Sequence, residues 1–308
     1  MQKQISPLNT IEAFEQDIYL QLDLLDRIKL QKPLTEDLQK KTIFCGSGDS
    51  LASAMLAESF SDYATKAVDP LDLIKNKKIL KGKKAYFVSI SGNTISNIKA
   101  ARLSEDSVAI TRNRTSRLAK TCKNVIRLDY EDAKILTSGS IGFVASMLTC
   151  VSLVQRFEIK NAKNLFSTAK AQSKILLKNK VYIIGNQYTY PIAMYAAAKL
   201  YEILGMDAHY ERIEQFSHMG VFSARRGDAV MIFEEKNQHN KHLASQLKKL
   251  GLVVYNPSIH SNNKIDHVLF YTFVSQFLAL HNAKKKHLSD CSFITNKKIR
   301  NASSSMIY

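Results

Sequence analysis

The sequence lacks the features that would mark a membrane or secreted protein. No stretch of its 308 residues approaches the roughly 20 uncharged apolar residues of a membrane-spanning helix, and the start, MQKQISPLNT, lacks the apolar core of a signal peptide. The four cysteines form no CxxC pair, so the sequence encodes neither a disulfide framework nor a cysteine zinc site. We expect a soluble, cytoplasmic protein whose cysteines are reduced and mostly buried.

Common nucleotide-binding motifs are also absent. The stretch GSGDSL (46–51) begins like a dinucleotide fingerprint, but Leu51 stands where the third glycine is needed. A P-loop would need a Gly-Lys-Ser/Thr triplet, which does not occur. The first 34 residues hold one clear helix, which is too little for a helix-turn-helix.

The net charge of +17, from 44 Lys and Arg against 27 Asp and Glu, leaves three interpretations open. The partner could be nucleic acid, the partner could be an anionic small molecule, or the surface could simply be basic. The lysines occur in bursts at 75–84 and 282–287 without the interleaved aromatics of a single-strand-binding groove. We therefore favour a solvated face over a nucleic-acid partner, and note that a positive field would steer a phosphorylated metabolite.

The chain alternates strand and helix patterns. Residues 11–30 have apolar side chains at three- and four-residue spacing, which predicts an amphipathic helix. The segments 41–60 and 83–103 each read as a buried strand, a glycine turn and a helix. Two more strands are predicted at 107–112 and 124–130, and a buried helix at 139–157. This alternation predicts an α/β protein with a parallel sheet covered on both faces, of the flavodoxin-like, doubly wound type.

The pattern starts over near residue 180, with a strand, a glycine turn and a helix. Further strands are predicted in GDAVMIFEE and LVVYNP, and the stretch 266–282 is predicted to be a strand that leads into a helix. We interpret this as an internal duplication of one α/β unit. The predicted division is an N-terminal helical segment at 1–34, a first domain at 35–165, and a second domain with a C-terminal tail at 166–308.

Hydroxyl-rich turns follow two strands of the first half, GSGDS (46–50) and SISGNT (89–94). In doubly wound sheets ligands bind at the carboxyl ends of the strands, where backbone N–H groups lie at the positive ends of helices. The hydroxyls of Ser47, Ser89, Ser91 and Thr94 could together bind a phosphate, and Gly92 would let the backbone approach it. The alternative is that Ser91 or the following asparagine only caps the next helix.

These residues resemble those of SIS (sugar isomerase) proteins. SISGNT behind a strand, with GSGDS upstream, looks like the phosphate loop of that family, and the duplication resembles its double-SIS members. Those include the archaeal bifunctional phosphoglucose/phosphomannose isomerases and the isomerase domain of glucosamine-fructose-6-phosphate aminotransferase. The resemblance covers about residues 35 to 300. It implies two tandem SIS domains that bind a phosphorylated sugar.

The second half carries the pair that the family uses for chemistry. By this resemblance Glu202 would shuttle a proton between C1 and C2 through a cis-enediol, and His218 would open the sugar ring from a neighbouring subunit of a homodimer. Lys199 resembles a substrate-contacting lysine. Such chemistry needs a partly desolvated carboxylate and an imidazole that titrates near neutrality. It needs neither a metal nor a redox cofactor, and we expect none.

Other positions match the family less closely. In ILTSGSIGF, Ser138 or Ser140 would contact the sugar, while only Lys134 stands near the place of an expected arginine. From the C-terminal tail we choose Lys298 as the catalytic lysine, with Lys297 and Arg300 as alternatives. The carboxylate of Glu214 could orient His218 or pair with a surface arginine.

The predicted function is an aldose-ketose sugar-phosphate isomerase of the glucose-6-phosphate, mannose-6-phosphate and fructose-6-phosphate type. Three alternatives stay open. One is a glucosamine-6-phosphate isomerase or deaminase-like enzyme, another is a phosphosugar sensor without turnover, and the third is a DNA-associated regulator that uses the lysine bursts.

Overall fold

The structure is a computed structural model that describes residues 8–307; the first seven residues of the predicted 1–34 segment and Tyr308 lie outside the described residues. The α-helices are α1 (Thr10–Arg27), α2 (Glu36–Lys40), α3 (Asp49–Phe60), α4 (Pro70–Lys75), α5 (Ile95–Ala101), α6 (Arg117–Thr121), α7 (Ile141–Ser152), α8 (Ala162–Gln172), α9 (Thr189–Lys199), α10 (Ile213–His218), α11 (Gln238–Lys249), α12 (Lys264–Lys285), α13 (Ser292–Thr295) and α14 (Lys297–Ile307). The strands are β1 (Thr42–Cys45), β2 (Lys66–Val68), β3 (Lys84–Val88), β4 (Asp106–Thr111), β5 (Asn124–Arg127), β6 (Val181–Gly185), β7 (Ala208–Arg212), β8 (Ala229–Phe233) and β9 (Val253–Tyr255). Two short 3₁₀ helices, Lys77–Leu80 and Gly220–Ser223, and a π-helical turn, Leu200–Leu204, also occur.

The strands form two parallel sheets, which confirms the predicted α/β class. The first sheet has the order β2-β1-β3-β4-β5 and the second the order β7-β6-β8-β9, with every pair parallel. The first order is that of flavodoxin-like doubly wound sheets. The second sheet repeats its first four places, so β6 and β8 hold the positions that β1 and β3 hold in the first sheet.

A single large core joins the two sheets. Phe44 of β1 and Ile183 of β6 both belong to it, together with apolar residues of the helices between the sheets. There α3 packs against α7 and α9, and α12 packs against α8 and α9. Because side chains alternate along a strand, Ile43 and Cys45 of β1 face a separate, smaller core on the outer side of the first sheet.

One predicted element is wrong in part. The stretch 266–282 contains no strand, because it lies wholly within the 22-residue helix α12. This helix is buried around most of its circumference, so its apolar run lacks the one-sided periodicity by which a helix is distinguished from a buried strand. The edge strands β2 and β7 were not predicted. β2 has only three residues, none fully buried, and so leaves little pattern to read.

The cysteines, the apolar helices and the first lysine burst can each be compared with their predictions. All four cysteines, Cys45, Cys122, Cys150 and Cys291, are free and buried, as expected. No helix among residues 8–307 is long and apolar enough to cross a membrane. The lysine burst at 75–84 precedes β3 and therefore lies at the amino edge of the first sheet, away from the edge where the hydroxyl-rich turns lie.

Candidate functional site

A cavity of about 840 Å³ opens at the carboxyl edge of the first sheet. Its volume is in the range of small-molecule sites. Both hydroxyl-rich turns line it, and so do residues from α1, the start of α7, the π-helical turn and the end of α14. Its polar lining includes Asp17, Ser47, Asp49, Asp69, Ser89, Ser91, Thr94, Arg112, Tyr130, Asp132, Lys134, Ser138, Ser140 and Glu202.

The SISGNT turn keeps its hydroxyls at the cavity. Ser89 Oγ lies 3.4 Å from Thr94 Oγ1 and accepts a hydrogen bond from Gly92 N at 3.2 Å. Thr94 is the N-cap residue of α5, but its side chain makes no capping bond. Ser91 Oγ accepts a hydrogen bond from the backbone N–H of Asn93, which lies before the helix, and from no N–H of the helix itself. The alternative that Ser91 or Asn93 caps the helix is therefore wrong for this turn, and the hydroxyls stay available to an anion.

Gly92 is required by its surroundings. Its φ is +66°, and a Cβ atom there would lie 2.1 Å from Ser116 Oγ and 2.5 Å from Ser116 Cβ. The Gly92 carbonyl accepts a hydrogen bond from Leu118 N, which ties the turn to α6. On the other side, Asn97 of α5 donates to the carbonyl of Val88 at the end of β3. The turn is thus fixed from both sides.

Glu202 reaches the same cavity from the second half. It sits on the π-helical turn that continues α9 and that ends at Gly205 with φ +61°. Such turns are rare and often occur at functional sites. Glu202 Oε2 accepts hydrogen bonds from Ser138 Oγ at 2.5 Å and from Lys199 Nζ at 2.8 Å. Its side chain is 37% exposed, so one carboxylate combines fixed donors with access to the cavity.

Lys199 is fully buried and does not line the cavity. Its ammonium donates to Asp49 Oδ2 at 2.9 Å, to the carbonyl of Gly139 at 3.0 Å and to Glu202. These acceptors account for the three donors of a lysine. Burial alone would lower the pKa of Lys199, but the carboxylates of Asp49 and Glu202 outweigh it and raise that pKa. Burial is also the main cause that raises the pKa of Asp49 to about 6.

The two serines that sequence reasoning left as alternatives have different environments. Ser138 is bound to Glu202, whereas the buried Ser140 Oγ has no hydrogen-bond partner among the described residues. Ser140 is the N-cap residue of α7 and makes no capping bond. The first backbone N–H groups of a helix lack partners within it, so α7 directs free donors and its positive end toward the cavity.

A charged cluster lies at one wall of the cavity, and of its members the sequence had pointed only to Lys134. Arg112 pairs with Asp132 and stacks on the ring of Tyr130, with its guanidinium carbon 4.6 Å from the ring centre. Lys134 Nζ lies 3.4 Å from Asp132 Oδ1. Arg112 directly follows β4, and this position at a strand end was the available signal. Asp17 of α1 gave no such signal.

Asp17 is a buried carboxylate in this wall. It is 6% exposed and accepts a hydrogen bond from Ala133 N at 2.7 Å. Burial is the main cause that raises the pKa of Asp17 to about 6, and the nearby Asp132 adds to it.

Two of the predicted catalytic residues do not reach the cavity within one chain. His218 is 70% exposed on α10, and its Nε2 lies 3.1 Å from Glu214 Oε1, so the carboxylate is placed to orient the ring. Lys298 lies exposed near the start of α14. The tail instead contributes Met306 and Ile307 to the cavity.

The matching turn of the second half holds a carboxylate. Glu234 directly follows β8, as Ser89 directly follows β3. Its Oε1 accepts from Asn186 N and lies near Thr189 Oγ1, both at 2.9 Å. The protein therefore supplies its own anion at this position. Burial is the main cause that raises the pKa of Glu234.

The fold and the cavity define the class of protein to which the chain is similar. Solved structures of similar fold include the glucosamine-6-phosphate deaminase of Thermotoga maritima, at 16% identity and a TM-score of 0.69, covering 91% of this chain and 95% of that one. The C-terminal domain of the glucosamine-fructose-6-phosphate aminotransferase of Francisella tularensis has 14% identity and a TM-score of 0.71, covering 93% and 98%. The tagatose-6-phosphate ketose/aldose isomerase of Escherichia coli has 14% identity and a TM-score of 0.65, covering 90% and 88%.

At the level of sequence, residues 174–254 match the SIS domain family. The match is to one SIS domain, in the second half, and the specific likeness to archaeal phosphoglucose/phosphomannose isomerases is not borne out by it. Comparison with curated protein sequences finds no significant relative. Since the solved structures share less than a fifth of their residues with this chain, they establish the fold alone.

Proposed function

We propose that this protein binds a phosphorylated sugar and interconverts its aldose and ketose forms. The observation that carries the proposal is the meeting of two halves at one cavity. The first half contributes a turn whose hydroxyls line the cavity and do not cap the next helix, and the second contributes Glu202, a carboxylate held by Ser138 and Lys199. A phosphate bound at Ser89, Ser91 and Thr94 would anchor the sugar and leave its carbonyl end to extend along the cavity.

The proposed chemistry is a proton transfer without a net redox change. Glu202 takes the proton from C2 of an aldose, the electron pair forms the C1–C2 double bond, and O1 takes up a proton to give a cis-enediol. O2 then loses its proton as the C2 carbonyl forms, and Glu202 returns the carbon-bound proton to C1, so the proton gained by O1 balances the one lost from O2. Negative charge develops on the enediol oxygens. The start of α7, with its free N–H groups and the unpartnered Ser140 hydroxyl, is suited to stabilise that charge.

His218 and Lys298 enter the proposal as residues that lie outside the cavity of the single chain. We propose a homodimer in which His218 of a second copy, oriented by Glu214, opens the sugar ring. Lys298 would reach the sugar only with a different placement of the tail. The proposal also includes a cytoplasmic location and two tandem SIS domains, at 35–165 and 166–308, behind the N-terminal segment at 1–34.

A coupled assay with fructose 6-phosphate, mannose 6-phosphate and glucosamine 6-phosphate tests turnover. Glu202→Gln removes the base but keeps the shape, so we expect kcat to fall at least about 100-fold with little change in binding measured by calorimetry. Glu36→Gln, at an exposed position on α2, is the matched control and should behave as the wild type. An unchanged kcat in Glu202→Gln would refute the role of this carboxylate.

A phosphosugar sensor without turnover is the second candidate. It is favoured by the placement of His218 and Lys298 outside the cavity. It is also favoured by Lys199, whose three donors are all used within the protein. Binding of the three sugar phosphates without conversion of any would establish this candidate and end the isomerase proposal. Conversion of glucosamine 6-phosphate alone would favour the deaminase-like alternative.

A further inference from the structure

The buried ammonium of Lys199 joins the two halves of the chain at the cavity. Asp49 is the first residue of α3 in the first half, whereas Glu202 lies on the π-helical turn of the second half. Both carboxylates lie within 2.9 Å of the same Nζ atom, and the carbonyl of Gly139 takes the third donor. Two carboxylates therefore share one cation.

We propose that Asp49 is a positioning residue for the reaction, which shares the positive charge of Lys199 with Glu202 and so sets the basicity of Glu202. This inference rests on the proposed function, since it assigns a role to Asp49 in the proton transfer by Glu202. Asp49 does not exchange a proton with the substrate in this role. It acts through Lys199.

The charges around Glu202 decide the direction of the effect. A cation beside a carboxylate stabilises its charged form and weakens it as a base, whereas a second carboxylate nearby has the opposite effect. With Asp49 neutralised, the charge of Lys199 would act on Glu202 alone. The ionised form of Glu202 would then persist to lower pH, and the carboxylate would accept the proton of C2 less readily.

The groups that face Asp49 are few. Lys199 and Tyr195 approach from α9, Glu202 approaches from the π-helical turn, and the loop at Gly139 contributes a carbonyl. The Tyr195 hydroxyl donates to the same carbonyl at 2.8 Å, and burial raises the pKa of Tyr195, so the phenol stays neutral near pH 7. The balance of charge therefore lies among Asp49, Lys199 and Glu202.

Gly139 keeps the space that Asp49 needs. A Cβ atom at this position would lie 2.7 Å from Asp49 Oδ2 and 3.7 Å from Lys199 Nζ. Gly139→Ala should therefore displace the carboxylate without altering any ionisable group. It gives a second, chemically independent way to disturb the shared ion pair.

The kinetic test is the pH profile of kcat/KM. In Asp49→Asn we expect the acid limb to move to lower pH by about one unit and the plateau to fall about tenfold. Asp49→Glu, which keeps the charge, should return the limb toward the wild-type position, and Gly139→Ala should shift it as Asp49→Asn does. Asp37→Asn, which removes an exposed charge from the first turn of α2, is the control. A lower plateau with an unmoved acid limb would show a merely structural role and overturn the proposal.

A second measurement does not depend on turnover. In full-length protein labelled with ¹³C at aspartate carboxyls, the resonance missing from Asp49→Asn identifies Asp49, which should titrate near pH 6. In Glu202→Gln the titration of Asp49 should move to lower pH, and in Lys199→Met to higher pH. Coupling between two sites is reciprocal, so the shift caused by Glu202 measures the influence of Asp49 on Glu202.

The outcomes separate the two proposals. Absence of turnover in the wild type would end the isomerase proposal, while a shifted Asp49 titration in Glu202→Gln would still establish the shared cation. An Asp49 titration that is the same in the wild type and in Glu202→Gln would overturn the inference, whether or not the protein turns over a sugar.

Discussion

Replacing Gly92 by alanine should damage both stability and ligand binding. Alanine would have to adopt φ +66°, and its Cβ would lie far inside the contact distance of Ser116. Ser116 is the N-cap residue of α6, where its hydroxyl accepts from Ala119 N at 3.3 Å. The substitution therefore forces either the SISGNT turn or the start of α6 to move.

Comparison with a second glycine of the same φ separates the cost of the backbone conformation from the cost of the close contact. Gly82 has the same φ of +66°, but a Cβ there would have no atom within 4 Å. Gly82→Ala should cost only the left-handed conformation, about 1–2 kcal/mol. Gly92→Ala adds overpacking of about 1–3 kcal/mol and loss of the cap of about 1 kcal/mol. We expect the free energy of unfolding to fall at least about 2 kcal/mol further in Gly92→Ala than in Gly82→Ala.

Urea unfolding of both variants, with calorimetric binding of fructose 6-phosphate, measures these effects. Gly82→Ala should keep the affinity of the wild type, because this residue lies away from the cavity. The double variant Gly92→Ala/Ser116→Gly removes both contacts with Ser116 and leaves the one with Thr111 Oγ1 at 3.0 Å. Because a glycine N-cap costs only a few tenths of a kcal/mol, most of the difference should be recovered. Equal stability of the two single variants, or no recovery in the double variant, would refute the steric reasoning.

Two carboxylates give predictions for stability, read from urea unfolding. Because the pKa of Asp17 is raised to about 6, the folded chain holds a proton that the unfolded chain releases. The free energy of unfolding should therefore fall as the pH rises from about 4 to 6. Asp17→Asn should lose this part of the slope, and an unchanged slope would contradict the assignment. At pH 7 Glu234→Gln should be at least as stable as the wild type, because the amide still accepts from Asn186 N without a desolvated charge. Glu234→Ala should cost about 1–3 kcal/mol, and equal stability of these two variants would contradict the reasoning.

The sequence was most informative where local pattern and structure coincide. The strand, glycine turn and helix around SISGNT were predicted because the buried strand, the glycine and the hydroxyls all lie within a few residues. The parallel α/β class followed from the repetition of this unit. The start of α12 was wrongly predicted to be a strand because the helix is buried on nearly all sides, and burial of that kind removes the periodicity that distinguishes helix from strand.

The contacts of the site were harder to predict because they join distant parts of the chain. Glu202 was proposed from a resemblance, but its hydrogen bond with Ser138 spans 64 residues and depends on how the two halves pack. Asp49 lies in GSGDS, one of the two turns predicted to bind an anion, yet nothing in the sequence pairs it with Lys199, 150 residues away. The π-helical turn that presents Glu202 has no known sequence signal in this chain.

The carboxylate of Glu234 has a consequence for stoichiometry. A duplicated fold would ordinarily offer two equivalent pockets and the option of cooperative occupancy within one polypeptide. Here the donors of the second turn are already used within the protein, since Glu234 accepts hydrogen bonds from Asn186 N and Thr189 Oγ1. Under the proposed function, each polypeptide should therefore titrate with one equivalent of sugar phosphate, and any cooperativity would have to arise between copies.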